Sequence, residues 1–264
     1  MPKTGEEASL LLREQDDGVL RLTLNRPAAR NALSLALMEE LTAALGAAGQ
    51  DARVRVVVLA GMGPAFCAGH DLRELRADPR RETYERIFAR CGELMLAIVR
   101  LPKPVIAEVH GIATAAGCQL VATCDLALAA ADARFATPGV NIGLFCSTPM
   151  VALTRAVGRK PAMEMLLTGE LIDAATACAR GLVNRVVPPA ELHQAVADLA
   201  RRIAGKSART VAIGKEAFYR QAELDLAAAY RYAAEVMTTN MLAADAEEGI
   251  DAFLAKRAPV WQDR

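Results

Sequence analysis

The sequence predicts an α/β fold in which a strand, a turn of small residues and a helix recur, followed by a region that is helical throughout. Two observations carry this. The buried-strand runs "VRVVVLAG" and "KPVIAEVHG" start at residues 54 and 103, each followed by small residues and a helix-like stretch. Recurrence at roughly fifty residues points to a coil of stacked ββα turns. From about Pro189 onward, apolar residues follow helical spacing alone. The chain has 264 residues, 53% of them apolar, and can bury a substantial core.

In order along the chain, "SLLLREQ" and "VLRLTLN" flank Asp16-Asp17-Gly18 and read as a hairpin. "SLALMEELTAALGAAGQ" places Leu37, Leu41, Ala44 and Leu45 on one helical face, with Ser34 as its N-cap. The strand at 54–61 is followed by the short "AFCAG" and a helix-like "DLREL"; the strand at 103–111 is followed by "CQLVATC". A third unit runs through "DLALAA", "ARFATP" and "TPMVALTRAVG", with Ser147 as a candidate N-cap. The four final segments, beginning at "AELHQAVADLARRIAGK" and ending at "AEEGIDAFLAKR", are helices. We therefore expect a ββα spiral core over 1–188 and a helical region over 189–264. No low-complexity linker divides them, which predicts one folding unit. Val236, Met237 and Met241 exceed what one small helical layer needs, and pack either in ordinary core or on a neighbouring subunit.

Composition narrows the function. Lys and Arg number 31, as do Asp and Glu, so the formal net charge is zero. That argues against nucleic acid or a membrane surface held by bulk electrostatics and leaves a small-molecule substrate. No apolar run approaches a membrane span. The acid-bearing N-terminus has no signal-type apolar core, from which a cytoplasmic, reducing location is expected. Six cysteines form no CxxC pair and only three histidines are present, so no metal site is expected. The absence of a GxGxxG turn argues against a nucleotide-dependent oxidoreductase. The absence of a GxSxG elbow argues against a serine hydrolase.

Two junctions share one plan. At "FCAGHDL" the backbone leaves a strand at Gly69 and enters a helix near His70; at "TAAGCQL" it enters one around Ala115–Gly117. Helix starts present unpaired N–H groups and partial positive charge. Two of them facing each other would aim two donors at one oxygen, an oxyanion hole.

These stretches, with "LNRPAARNALS", "FATPGVNIGL", "AVGRKPAMEMLLTGELIDAATACARGLVNRVV" and "GIDAFLAKRAPVW", resemble the crotonase, or enoyl-CoA hydratase/isomerase, superfamily over about residues 9–262. The resemblance implies the crotonase fold, a homotrimer or a hexamer of two trimers, and an acyl-CoA substrate. Coenzyme A would enter as part of that substrate, with no prosthetic group. It implies that the backbone N–H groups of His70 and Ala116 bind the thioester carbonyl. Ala68, His70, Asp71, Leu72 and Arg73 match the stretch around the pantetheine. Arg26 and Arg30 match residues near the CoA phosphates and adenine, and Phe253 and Lys256 a C-terminal pair closing over adenine, often from an adjacent subunit.

Hydratases of this family carry two glutamates, and their positions fall here at Gln119 and Gly139. An amide has no usable pKa and glycine has no side chain, so the standard division of acid and base work lacks its groups. A further family position for an acid falls at Ser147, beside Cys146. His70, Cys146 and Ser147 are therefore the acid/base candidates, with Glu74 and Glu82 ranked below them. Two readings follow: an enzyme that stabilises a CoA enolate with unusual proton carriers, or a non-catalytic acyl-CoA-binding homologue.

Overall fold

A computed structural model describes residues 9–264. Residues 1–8, part of the stretch from which the location was read, lie outside the described residues. The chain opens with a hairpin, β1 (Leu11–Asp16) and β2 (Val19–Leu24), followed by α1 (Leu35–Gln50). Asp17 and Gly18 both have positive φ, 44° and 78°, which matches the right-handed twist of the flanking strands. Ser34 caps α1, its hydroxyl accepting from the Leu37 N–H.

Three turns of a coil follow. The first contains β3 (Val56–Gly61), β4 (Ala65–Cys67), α2 (Leu72–Ala77) and α3 (Arg81–Arg100). The second contains β5 (Val105–Val109), β6 (Ile112–Thr114) and α4 (Ala116–Thr123). The third contains β7 (Leu126–Ala130), β8 (Arg134–Ala136), α5 (Ser147–Ala156) and α6 (Arg159–Thr168). Then come β9 (Ile172–Asp173), α7 (Ala174–Ala179), β10 (Arg185–Val187), α8 (Leu192–Ala204), α9 (Ala208–Gln221), α10 (Leu226–Met241) and α11 (Ala244–Leu254). Each turn of the coil adds one strand to each of two sheets, ordered β1-β2-β3-β5-β7-β10 and β4-β6-β8-β9. β2, β3, β5, β7 and β10 run parallel, as do β4, β6 and β8.

Strand alternation decides which layer each residue joins. Val57, Leu59, Val105 and Ala107 face the main core with α1 and α3. Val56, Val58, Ile106 and Leu128 face the opposite side and bury Leu192, Val196 and Ala200 of α8. The 20-residue α3 is absent from the expectations above. Its signal was present: Ile87, Cys91, Leu94, Met95 and Ile98 form a buried stripe, but dense Arg and Glu on the other faces dilute it.

Lys215 fastens α9 to the coil. Its buried ammonium donates to the carbonyls of Ile98 and Lys103 and to Asp125 at 2.7 Å, and Asp125 also accepts from Tyr219 and the Val105 N–H. Burial lowers the Lys215 pKa, and Asp125 works against it. α10 has no buried residue: Tyr230, Met237 and Met241 are exposed. Among the described residues, no helix is long and apolar enough to cross a membrane.

Candidate active site

The candidate site is a cavity of about 880 Å³ between the α2 and α4 starts and the segment 138–149. On its inner wall, Leu33 N–H donates to the Gly69 carbonyl at 2.7 Å and Asp71 N–H to the Leu33 carbonyl at 3.0 Å. This parallel bridge uses the groups on either side of His70, so the N–H of His70 itself points away from Leu33. Across from it, Ala115 N–H donates to the Ala136 carbonyl, and the Ala115 carbonyl accepts from Gln119. Ala116 opens α4, where an N–H has no partner within the helix. Among the described residues, neither the His70 N–H nor the Ala116 N–H has an acceptor, and both residues line the cavity.

Close backbone contact brings these groups together. Gly69 has φ +101°, and a Cβ there would lie 2.8 Å from the Ala115 Cβ and 3.3 Å from the Ala116 nitrogen. At Gly117 a Cβ would overlap the Cys67 carbonyl oxygen, at 2.0 Å. Small residues at these positions are thus a steric requirement. Ala115 is held at φ 50°, ψ −118°, a conformation that costs a side-chain-bearing residue about 1–3 kcal/mol and recurs at functional sites.

The His70 imidazole packs edge-on against Phe88, ring centres 5.4 Å apart. Burial pushes its pKa down to about 4, so it is neutral at pH 7. Its Nε2 is closed off from solvent and has no hydrogen-bond partner. Phe88 itself lies on α3 and was missed with that helix.

Asp71 is the one carboxylate among the lining residues, and it is engaged: Arg26 donates to it at 2.9 Å and the Arg73 N–H at 3.1 Å. Burial acts to raise its pKa, but those hydrogen bonds prevail and leave it lowered. Arg26 also donates to the Ala32 carbonyl. Its guanidinium thus braces the loop at the cavity wall, which Arg26 also lines. Arg30 and Arg73 line the cavity, are exposed, and have no ion pair among the described residues.

The opposite wall departs further from expectation. Gly139 lines the cavity with its backbone and is buried: a Cβ there would lie 2.3 Å from the Leu144 carbonyl oxygen and 2.9 Å from the Cys146 Sγ. Cys146 lines the cavity, buried, its thiol raised by burial and lowered in part by the Gly139 N–H. Ser147 lines it too, but as the first residue of α5; Cys146 holds the cap position, with no side-chain cap bond, which corrects the N-cap reading. Gln119 is buried but is not among the lining residues; its carbonyl oxygen faces the Cys91 thiol at 3.7 Å. Glu74 and Glu82 are not there either. Glu74 accepts from the Leu35 N–H at the start of α1, and Glu82 is exposed. Phe253 (82% exposed) and Lys256 do not line the cavity within this chain. Among the described residues, no group of His, Cys, Asp or Glu could hold a metal ion.

A ββα coil with such a cavity at its strand-to-helix junctions defines a class, and the sequence comparison agrees. The enoyl-CoA hydratase/isomerase family model matches residues 14–264, and the chain belongs to that family. Within it, the resemblance is to the branch of enoyl-CoA hydratase domain-containing protein 3. The mitochondrial protein of that name from Rattus norvegicus is 46% identical over 97% of this chain and 85% of its own. The human one is 47% identical over 94% of this chain and 82% of its own. Among solved structures, an enoyl-CoA hydratase from Mycobacterium smegmatis superposes with TM-score 0.94 and 58% identity, covering 96% of this chain and 99% of that one. The human domain-containing protein 3 structure gives 0.93 and 46%, over 96% and 100%. The expected cytoplasmic location is overturned by these relatives, which are named mitochondrial; charge and hydropathy near one terminus do not determine location.

Proposed function

We propose that this protein binds an acyl-CoA thioester, with the thioester carbonyl oxygen between the N–H groups of His70 and Ala116. The observation that carries this reading is the pair of backbone donors without acceptors, on segments in van der Waals contact, at one cavity. Fixed donors aimed at a developing oxyanion favour charge on that oxygen by about 3 kcal/mol per donor. Their effect is to acidify the α-carbon and stabilise an enolate. Arg30 and Arg73 carry the positive charge that suits the CoA phosphates. Phe253 and Lys256 then belong to the CoA site of a neighbouring copy, in a homotrimer or hexamer; sedimentation measures that state.

A second reading, binding without turnover, has its own support. The lining residues hold no free carboxylate, since Asp71 is engaged by Arg26. Gln119 and Gly139 stand at the family's glutamate positions, and the proton carriers left are His70, Cys146 and Ser147. One experiment separates the readings. Saturated and unsaturated acyl-CoAs are incubated with the protein in heavy water, and α-proton exchange is followed by mass spectrometry. Exchange that Ala116→Pro abolishes supports the enolate enzyme. Tight binding across the panel with neither exchange nor product supports the binder. Absence of binding overturns both.

A further inference from the structure

We propose that Asn31, a fully buried side chain outside the cavity, is a positioning residue that sets the direction of the His70 N–H. This rests on the thioester reading above and deepens it, naming what aims one of the two donors. The Asn31 amide pins its own loop to the turn between β3 and β4. Its Nδ2 donates to the carbonyls of Met62 at 2.9 Å and Ala65 at 2.8 Å, and its Oδ1 accepts from the Arg26 N–H at 2.9 Å. Carbonyls only accept and a backbone N–H only donates, so one orientation of the amide satisfies all of these partners. The loop needs such a tie. Arg30 and Asn31 are successive left-handed residues, φ 50° and 55°, a backbone that Asn tolerates better than most side chains do.

The pairing of this loop links it to the site. The turn held by Asn31 leads through β4 directly to Ala68–Asp71. Residues 30–33 run beside that stretch. The Ala68 N–H donates to the Arg30 carbonyl at 3.0 Å, the Leu33 N–H to the Gly69 carbonyl and the Asp71 N–H to the Leu33 carbonyl. These bonds fix the peptides on both sides of His70 and turn its own N–H away from Leu33. Asn31 holds both edges of the pairing, 30–33 through the chain and 68–71 through the Ala65 carbonyl at the start of β4. Sliding one edge against the other rotates the Gly69–His70 peptide, and a hydrogen bond weakens steeply with angle. Arg26 reinforces the loop by donating to Asp71 and to the Ala32 carbonyl, but both Arg26 and Asp71 line the cavity. Asn31 does not, so replacing it alters the aim of the donor without removing a contact to the ligand.

The test uses butanoyl-CoA labelled with ¹³C at the thioester carbonyl, at saturation, so that affinity does not enter. A carbonyl held by two donors resonates downfield of the free thioester. In Asn31→Gly, which keeps the left-handed backbone and loses the amide, the downfield displacement should fall by about half, the share of one of two donors. Asn31→Ser, which retains a donor, should keep more of it. Leu45→Ala, a core substitution on α1, separates aim from stability: it should lower the melting temperature and leave the carbonyl resonance as in wild type. Should neither Asn31 variant fold, hydrogen exchange of the wild type decides. Bound butanoyl-CoA should slow the amides of 62–66, none of which lines the cavity, and unchanged exchange there overturns the positioning role. A displacement in Asn31→Gly equal to that of wild type, or one that Leu45→Ala reduces as far, also overturns it and leaves the thioester reading standing. Absence of binding, or of any downfield displacement in wild type, overturns the thioester reading and this proposal with it.

Discussion

The wall made by Gly69–His70 and Ala115–Ala116 and the wall made by residues 138–147 use glycine for opposite ends. On the first wall, the missing side chain at Gly69 lets two backbone segments meet while leaving two N–H groups free. On the second, the space beside Gly139 is filled by the Leu144 carbonyl and the Cys146 thiol. One wall keeps room for a ligand atom; the other has closed over the place where a side chain would stand. On the reading proposed above, carbonyl binding and proton transfer are separable: backbone N–H groups suffice for the first, whereas the second needs side chains.

The largest expected effect breaks the first wall. Ala116→Pro removes one donor and should weaken acyl-CoA exchange or binding about 100-fold or more, roughly 3 kcal/mol; because Ala115 stands at φ 50°, outside the range favoured before proline, circular dichroism checks that the fold survives. Next comes acid stability. The His70 pKa lies near 4 in the folded protein, against an ordinary 6.5. Between those values the unfolded chain binds the extra proton. Stability therefore falls as pH drops from about 6.5 to 4, by at most about 3 kcal/mol. Thermal melts of His70→Leu should show a shallower loss across that window.

On the second wall, Gly139→Glu should destabilise by about 1–3 kcal/mol through overpacking, read as a lowered melting temperature. Combined with Gln119→Glu it should confer no crotonyl-CoA hydration, because position 119 faces Cys91 inside the core. A folded double variant that hydrates crotonyl-CoA would erase the contrast between the walls. The smallest effect is at Glu74→Gln, expected to cost about 1 kcal/mol as the α1 start loses a charged acceptor, with acyl-CoA binding unchanged by titration.

Much of the fold was legible because it rests on periodicity. The Asp17-Gly18 hairpin, the Ser34 cap, the recurring strand and helix units and the helical C-terminal stretch are local signals. α3 went unread because its charged faces mask the Ile87–Ile98 stripe. Of the site, the two junctions and their small residues were legible, as were Cys146 and Ser147 at the cavity. The roles of Arg26, Glu74 and Phe88 were not, since each depends on a partner distant in sequence: Asp71, Leu35 and His70.

The sequence by itself determined which residues must be small at the two helix starts, and that no glutamate stands at 119 or 139. Only the tertiary structure decided what those facts mean. Which N–H groups stay free follows from the bridge between Leu33 and His70 and from the contact of Gly69 with Ala115. Whether Gly139 is a gap or a filled space follows from how 144–146 folds back over it. Composition and spacing report what each residue can do, while steric exclusion and hydrogen-bond satisfaction act between segments far apart in the chain and select what it does.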